Sequence, residues 1–195
     1  MIEKKIPFTD YKKLYLDHRK DYLEIIDNVA SSGGFIMQKA LSDFEEEISK
    51  FIGCKYAIGV GNATDGLEIG WQSIGLRPGD EVICSSHTFI ATASSIVMAG
   101  GVPVPVEIGD DNLIDPDAVE DAINSRTVGI MPTQLNGRTC DMSKIMKIAD
   151  KYKLFVVEDA AQALGSKFKG KHAGTFGNVG AISFYPSKVM GCFGD

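Results

Sequence analysis

LFVVEDAA, residues 154–161, runs from apolar residues into two adjacent carboxylates. A short, uniformly apolar run rich in branched side chains reads as a strand buried on both faces, as in parallel sheets covered by helices. The flanking sequence agrees. Upstream, Met142, Ile145, Met146, Ala149 and Tyr152 recur at helical spacing, and TVGIMPTQ (127–134) is another apolar strand. DPDAVEDAI (115–123) reads as a helix with Asp115 as N-cap and Pro116 in its first position. VPVPVEI (102–108) reads as a strand whose two prolines push it to a sheet edge. FIATASSIVMAG (89–100) is small-sided or apolar nearly all round, which predicts a buried helix. EVICSS (81–86) and KYAIGVG (55–61) read as strands. Between them ATDGLEIGWQSIG (63–75) reads as a helix, although Gly66 and Gly70 each cost ~1 kcal/mol relative to alanine. Leu41, Phe44, Ile48, Phe51 and Ile52 mark one helix face, and residues 10–30 form a polar helix that SSGGFI (31–36) breaks. Downstream, AISFYP (181–186) is the last strand. Strands alternating with helices predict an α/β fold: a mostly parallel sheet with helices on both faces.

The chain has 195 residues, 44% hydrophobic and 24% charged, enough for one sizeable core. A net charge of −6 argues against a nucleic-acid surface, which needs a basic stripe. No stretch approaches the ~20 apolar residues of a membrane span, and the first twenty residues contain no apolar leader. Cysteines at 54, 84, 140 and 192 have neither metal-ligand nor CxxC spacing. The expectation is reduced thiols in the cytoplasm and no metal site.

In sheets of this kind ligands bind outside the carboxyl ends of the strands. GNATDG (61–66) is a glycine-bearing turn into a helix. Its N–H groups and the helix dipole make either an anion site, with Thr64 adding a hydroxyl, or a plain turn capped by Asn62 or Thr64. SSHTF (85–89) follows another strand. EDAAQ (158–162) either sends a carboxylate into the crevice, where burial demands a cationic or donor partner, or caps a helix starting near Ala160. SFYPSK (183–188) ends on Lys188, with Ser183, Tyr185 and Ser187 around it. Such a lysine is either a solvated strand-end residue or, when desolvated or beside another cation, a nucleophile that forms Schiff bases. A phosphate nest, a carboxylate, an aromatic platform and a lysine are jointly the parts of a pyridoxal phosphate site.

GNATDGLEI, SSHTFIATASS, NGRTCDMSKI, VVEDAAQALGSKFKGKHAGTFGNVGAISFYPSK and GCFGD together resemble the nucleotide-sugar aminotransferases of the DegT/StrS type, in register over nearly the whole chain. The resemblance implies the aspartate aminotransferase-like fold, fold type I of the pyridoxal phosphate (PLP) enzymes. It implies an N-terminal arm and substrate-side loop over 1–36 and a PLP-binding large domain over 37–195, incomplete at its C-terminal end. The small C-terminal domain of such enzymes, which run to roughly twice this length, would be missing. Residue by residue, it implies that Lys188 forms the aldimine with pyridoxal 5'-phosphate and shuttles the proton, while Asp159 pairs with the pyridinium nitrogen. Gln162 would lie beside the ring hydroxyl. Ser183, the backbone at Ala63 and the Thr64 side chain would hold the phosphate. Phe89 would stack on the ring, ahead of His87 two residues away. Gly34, Phe35 and Asn136 would lie near the substrate. The implied reaction moves an amino group from glutamate to a keto-sugar carried on a nucleoside diphosphate. It would run in a cytoplasmic homodimer whose partner subunit completes the phosphate pocket. Ala63 and Gly66 stand where the family often has glycine and alanine.

Other functions leave different marks. A sugar dehydratase of the same fold would carry histidine where Lys188 stands. A truncated, non-catalytic chain would aggregate or act only through a full-length partner. A nicotinamide-binding protein would need a third glycine where GVGNAT has Thr64, and an acid at the tip of EVICSS.

Overall fold

A computed structural model describes residues 6–194; the expected arm's Met1–Lys5 and Asp195 lie outside the described residues. Helix α1 (Tyr11–Ser31) starts where the Asp10 carboxylate accepts from the Lys13 amide at 2.9 Å. It buries none of its residues. Tyr22 packs edge-on against Phe193 with ring centroids 5.0 Å apart, tying the helix to the far end of the chain. Helix α2 (Lys39–Ile52) ends on Gly53 in the left-handed region, φ 77°, where glycine carries no Cβ penalty. Its apolar stripe reaches later parts of the chain: Phe44 meets Phe184 and Phe51 meets His172, both edge-on.

Residues 55–61, expected as a strand, have no ladder partner among the described residues. Extended backbone becomes a strand only when a neighbouring backbone pairs with it. Here a side chain of α2 takes that place, with Glu45 accepting from the Gly59 amide at 2.7 Å. Tyr56, Ile58 and Val60 are left exposed.

From there helices and strands alternate: α3 (Ala63–Ser73), β1 (Glu81–Ser85), α4 (Ala91–Met98), β2 (Val102–Val106), α5 (Pro116–Asp121), β3 (Thr127–Met131), α6 (Met142–Tyr152) and β4 (Phe155–Asp159). A hairpin, β5 (Lys167–Phe168) and β6 (Lys171–His172), precedes β7 (Val179–Ala181). The sheet order is β2-β1-β3-β4-β7 and every pairing in it is parallel. The proline-bearing β2 is an edge strand, as its missing N–H donors require.

Alternate residues of the strands face opposite cores. Ile83, Ile130 and Val156 pack with Val119 of α5 and Met142, Ile145, Ile148 and Ala149 of α6. Val82, Cys84, Met131 and Val157 pack with Leu67 and Trp71 of α3 and Ile96 of α4. Helices therefore cover both faces, and each fully buried aliphatic side chain contributes about 1.5–3 kcal/mol.

Two expectations change. Helix α4 buries one side only, Ala91, Thr92, Ser95 and Ile96, while Val97 and Met98 are exposed. The small residues that made it look buried all round serve its close packing on α3 and the sheet. The last strand lies earlier than the apolar run suggested, at 179–181 instead of 181–186. Its ladder pairs Val157 with Val179, Glu158 with Gly180 and Asp159 with Ala181, and β4 itself ends at Asp159. Beyond Ala181 that neighbour is gone, and residues 182–185 form no ladder.

Candidate functional site

Several of the residues that the sequence singled out stand at or just past the carboxyl ends of the parallel strands. At the end of β4, strand parity splits the two adjacent carboxylates. Asp159, on the parity of Val157, faces α4; Glu158, on the parity of Val156, faces α6. Both are buried, at 4% and 0% exposure, yet their surroundings differ completely.

Glu158 is fully claimed by the protein. One oxygen accepts from the amides of Phe176 (2.6 Å) and Gly177 (2.8 Å). The other accepts from the Gly174 amide and from Gln134 Nε2, both at 2.8 Å. The loop 174–177 is thus folded around a carboxylate. His172 closes the same loop: its Nε2 accepts from the Gly165 amide at 2.7 Å, so its Nδ1 carries the proton and donates to the Ala173 carbonyl at 2.5 Å.

Asp159 accepts two hydrogen bonds, from Thr92 Oγ1 at 2.6 Å and from the Ala161 amide at 3.2 Å. It forms no ion pair among the described residues. Burial pushes its carboxyl above the ordinary value; the Thr92 and Ala161 hydrogen bonds and the charge of Lys188 pull it partly back. Lys188 is half-buried in the turn after β7, where its amide donates to the Tyr185 carbonyl at 2.8 Å. The lysine and the aspartate therefore feel one another electrostatically.

The glycines of α3 explain how its N-terminus reaches the same place. A Cβ on Gly70 would stand 3.1 Å from Val179, and one on Gly66 would stand 3.4 Å from Ala181. Moving back along the helix therefore moves forward along β7. Helix and strand run antiparallel, with the helix backbone lying on the side chains of the strand, which sets the first turn of α3 towards the residues following Ala181. Asn62 caps that turn by accepting from the Asp65 amide at 2.9 Å. The amides of Ala63 and Thr64, at the helix start, have no intrahelical acceptor. Ser183 lies two residues beyond Ala181, its hydroxyl accepting from the Tyr185 amide at 3.2 Å.

Phe89 is 65% exposed and lies three residues ahead of Thr92, whose amide donates to the Phe89 carbonyl. A candidate platform and the hydroxyl that holds Asp159 are thus placed by one helix start. His87 instead turns its Nδ1 towards the Asn112 carbonyl at 3.4 Å. Gln162 Oε1 accepts from the Asn136 amide at 3.0 Å, so its Nε2 is the donor left to serve a ligand. Asn136 sits in the left-handed region at φ 54°. Gly34 and Phe35 stay in the turn after α1, with amides donating to Val29 and Gly33. No hydrogen bond ties that turn to the strand ends among the described residues.

The sequence did not single out the hydroxyls around Asp159. Thr88 lies 2.6 Å from Thr92 and 3.0 Å from Thr133; Thr92 and Thr133 are 3.4 Å apart. The i,i+4 spacing of Thr88 and Thr92 in HTFIAT was the available signal. The Glu158 nest was hidden too, because its donors are backbone amides, which no residue type announces. Among the described residues no group of His, Cys, Asp and Glu is placed to hold a metal ion, and no helix is long and apolar enough to cross a membrane.

A family model described as the DegT/DnrJ/EryC1/StrS aminotransferase family matches residues 17–195. A dTDP-3-amino-3,4,6-trideoxy-alpha-D-glucose transaminase of Streptomyces venezuelae is 40% identical over 192 residues, covering 98% of this chain and 51% of that protein. Among solved structures, S. venezuelae DesV in complex with a ketimine intermediate superposes with a TM-score of 0.94 at 40% identity, covering 98% of this chain and 52% of that one. NtdA from Bacillus subtilis, with bound cofactor PMP, gives a TM-score of 0.89 at 36% identity, covering 100% of this chain and 45% of that one. The chain spans about half the length of the curated relatives it matches.

Proposed function

The chain belongs to the DegT/DnrJ/EryC1/StrS aminotransferase family, and from that premise we propose that it carries the coenzyme half of a pyridoxal-phosphate-dependent sugar aminotransferase. The observation that carries this is the contrast between the two carboxylates at the end of β4. Glu158 is saturated by four hydrogen bonds from the protein. Among the described residues Asp159 is buried without an ion pair, and burial raises its pKa against the pull of its hydrogen bonds and the Lys188 charge. A pyridinium N–H is the donor cation such a group fits. The donor types fit the rest of the coenzyme: amides at a helix N-terminus for a phosphate, a serine hydroxyl on the segment after β7, and a lysine whose charge acts on the carboxylate.

Pyridoxal phosphate, when bound, supplies a carbonyl to take up an amine and a ring that accepts the electron pair of the broken bond. The residues supply the rest. Lys188 Nζ would hold the coenzyme through its aldehyde carbon and, when free, would serve as the base and acid that moves a proton between carbons. Asp159 keeps the ring nitrogen protonated. Gln162 Nε2 donates to the ring hydroxyl oxygen. The Ala63 amide, Thr64 and Ser183 hold the phosphate, and Phe89 gives the ring a face to lie on. Gly34, Phe35 and Asn136 line the approach of the sugar.

The dTDP-sugar transaminase named above supports a sugar linked to a nucleoside diphosphate as acceptor, which we take to be a keto-sugar, and we take glutamate as the amino donor. The working unit in this reading is a homodimer. Free thiols at Cys54, Cys84 and Cys140 suit a reducing cytoplasm.

The test is to mix the protein with pyridoxal phosphate, reduce with borohydride and map the modified peptide by mass spectrometry. The expected label is on Lys188, and Lys188→Ala is expected to lose it. A label elsewhere, or none on folded protein, overturns the assignment.

A further inference from the structure

We propose that Thr133, Thr88 and Thr92 form a one-way chain of hydroxyls ending on Asp159, and that this chain sets how firmly the aspartate holds a protonated coenzyme ring. The inference rests on the pyridoxal phosphate reading above and deepens it.

The direction of the chain follows from proton counting. An ionised carboxylate only accepts, so the single hydroxyl proton of Thr92 is committed to Asp159 Oδ2 at 2.6 Å. Thr92 Oγ1 must then accept from Thr88, 2.6 Å away. The Thr88 proton is thereby used, and Thr88 in turn accepts from Thr133 at 3.0 Å. Each link polarises the next, so the last bond is stronger than an isolated hydroxyl–carboxylate pair. Water does not reach the two ends easily, since Thr92 is 0% and Thr133 4% exposed, while Thr88 between them is half-buried.

The four residues come from the loop after β1, from α4, from the end of β3 and from the end of β4, so the arrangement is tertiary. Backbone bonds fix its base, with Asp159 N–H donating to Pro132 at 3.0 Å and Gln134 N–H to the Asp159 carbonyl at 2.8 Å. The groups acting on the carboxylate are Thr92 from α4, the Ala161 amide from its own strand end and the charge of Lys188 from the turn after β7. Thr92 is thus a positioning residue acting through Asp159. With its donor removed, Asp159 becomes more basic and competes for the ring proton. The ring then carries less positive charge, and the imine nitrogen joining Lys188 to the coenzyme holds its own proton more tightly.

The test uses the protein loaded with pyridoxal phosphate. Its readouts are the pH midpoint of the visible band and the coenzyme dissociation constant. For Thr92→Val we expect the midpoint to rise by about one pH unit, the size of one hydrogen bond to a charged group, and binding to weaken roughly tenfold. Thr92→Ser keeps the hydroxyl and is expected to restore both values. Thr88→Val is expected to shift the midpoint in the same direction by less, and Thr133→Val by less again. A purely structural role would change folding stability and leave the midpoint in place. Borohydride labelling of Lys188 is run alongside. A label on Lys188 with an unmoved midpoint in folded Thr92→Val overturns the hydroxyl chain alone. Absence of the label from the wild-type chain overturns the coenzyme reading and this inference with it. If Thr92→Val does not fold, Thr88→Val decides by the same midpoint.

Discussion

Two adjacent residues, Glu158 and Asp159, have the same functional group in opposite surroundings. Glu158 has four donors with no spare acceptor among them. Glu158→Gln turns an NH2 group towards donors and is expected to cost about 3 kcal/mol, the penalty of a lost charged hydrogen bond and an unsatisfied buried group. Urea denaturation of the variant measures it. Asp159 has the reverse character: burial raises its pKa, so the folded chain binds its proton more tightly than the unfolded chain does. Between the ordinary carboxyl range and the raised value, the aspartate's contribution to stability therefore falls as pH rises. Asp159→Asn is expected to abolish that slope, to make the coenzyme-free chain more stable at neutral pH, and to weaken coenzyme binding. Difference urea curves against pH and a coenzyme titration check the two halves. A variant that is less stable at neutral pH would refute the first half.

Among the elements, α3 and β7 decide where the site is. Gly66 and Gly70 look like helix defects in the sequence, but they let the helix lie on the strand. Alanine at 66 meets Ala181 at an ordinary contact distance of 3.4 Å, so Gly66→Ala is expected to gain up to about 1 kcal/mol of helix propensity. Alanine at 70 presses on Val179 at 3.1 Å, and Gly70→Ala is expected to be the less stable by about 1–3 kcal/mol. Thermal melts give the order, and Gly70→Ala melting above Gly66→Ala would refute it. The alternation of elements was legible because strands buried on both faces and amphipathic helices have distinct periods. A carboxylate at the end of a buried strand, Asp159, was legible for the same reason, whereas Lys188 lies in the turn after β7 and not at a strand end. The register of β7 was not, since apolar residues run past the point where β4 stops pairing. The hairpin β5–β6 was missed because two-residue strands carry no period; its turn, Lys169 and Gly170 at φ 50° and 84°, is set by backbone geometry. Thr92 and Asp159 are 67 residues apart, and no local pattern announces such a pair.

On the scale of the whole molecule, apolar surface outruns the cores. Leu14, Leu23 and Ile26 of α1 are exposed, and so are Tyr56, Ile58 and Val60 of the unladdered segment. β7 pairs on one side only among the described residues. Surfaces of this kind are covered by partners or associate. Sedimentation velocity is expected to find a mass about twice the 21.1 kDa of the chain, with binding of a hydrophobic dye. A monodisperse monomer without dye binding would contradict this. The hairpin tip at Lys169 and Gly170 is exposed, while the loop beyond it is clamped through the amides of Gly174, Phe176 and Gly177 and through the pairing of β7 with β4. A protease that nicks the tip is expected to sever the chain without releasing it, leaving pieces 1–169 and 170–195 bound to one another. The tip is therefore the natural place to open new termini or to splice in a foreign segment, with the ends of β4 and β7 still side by side.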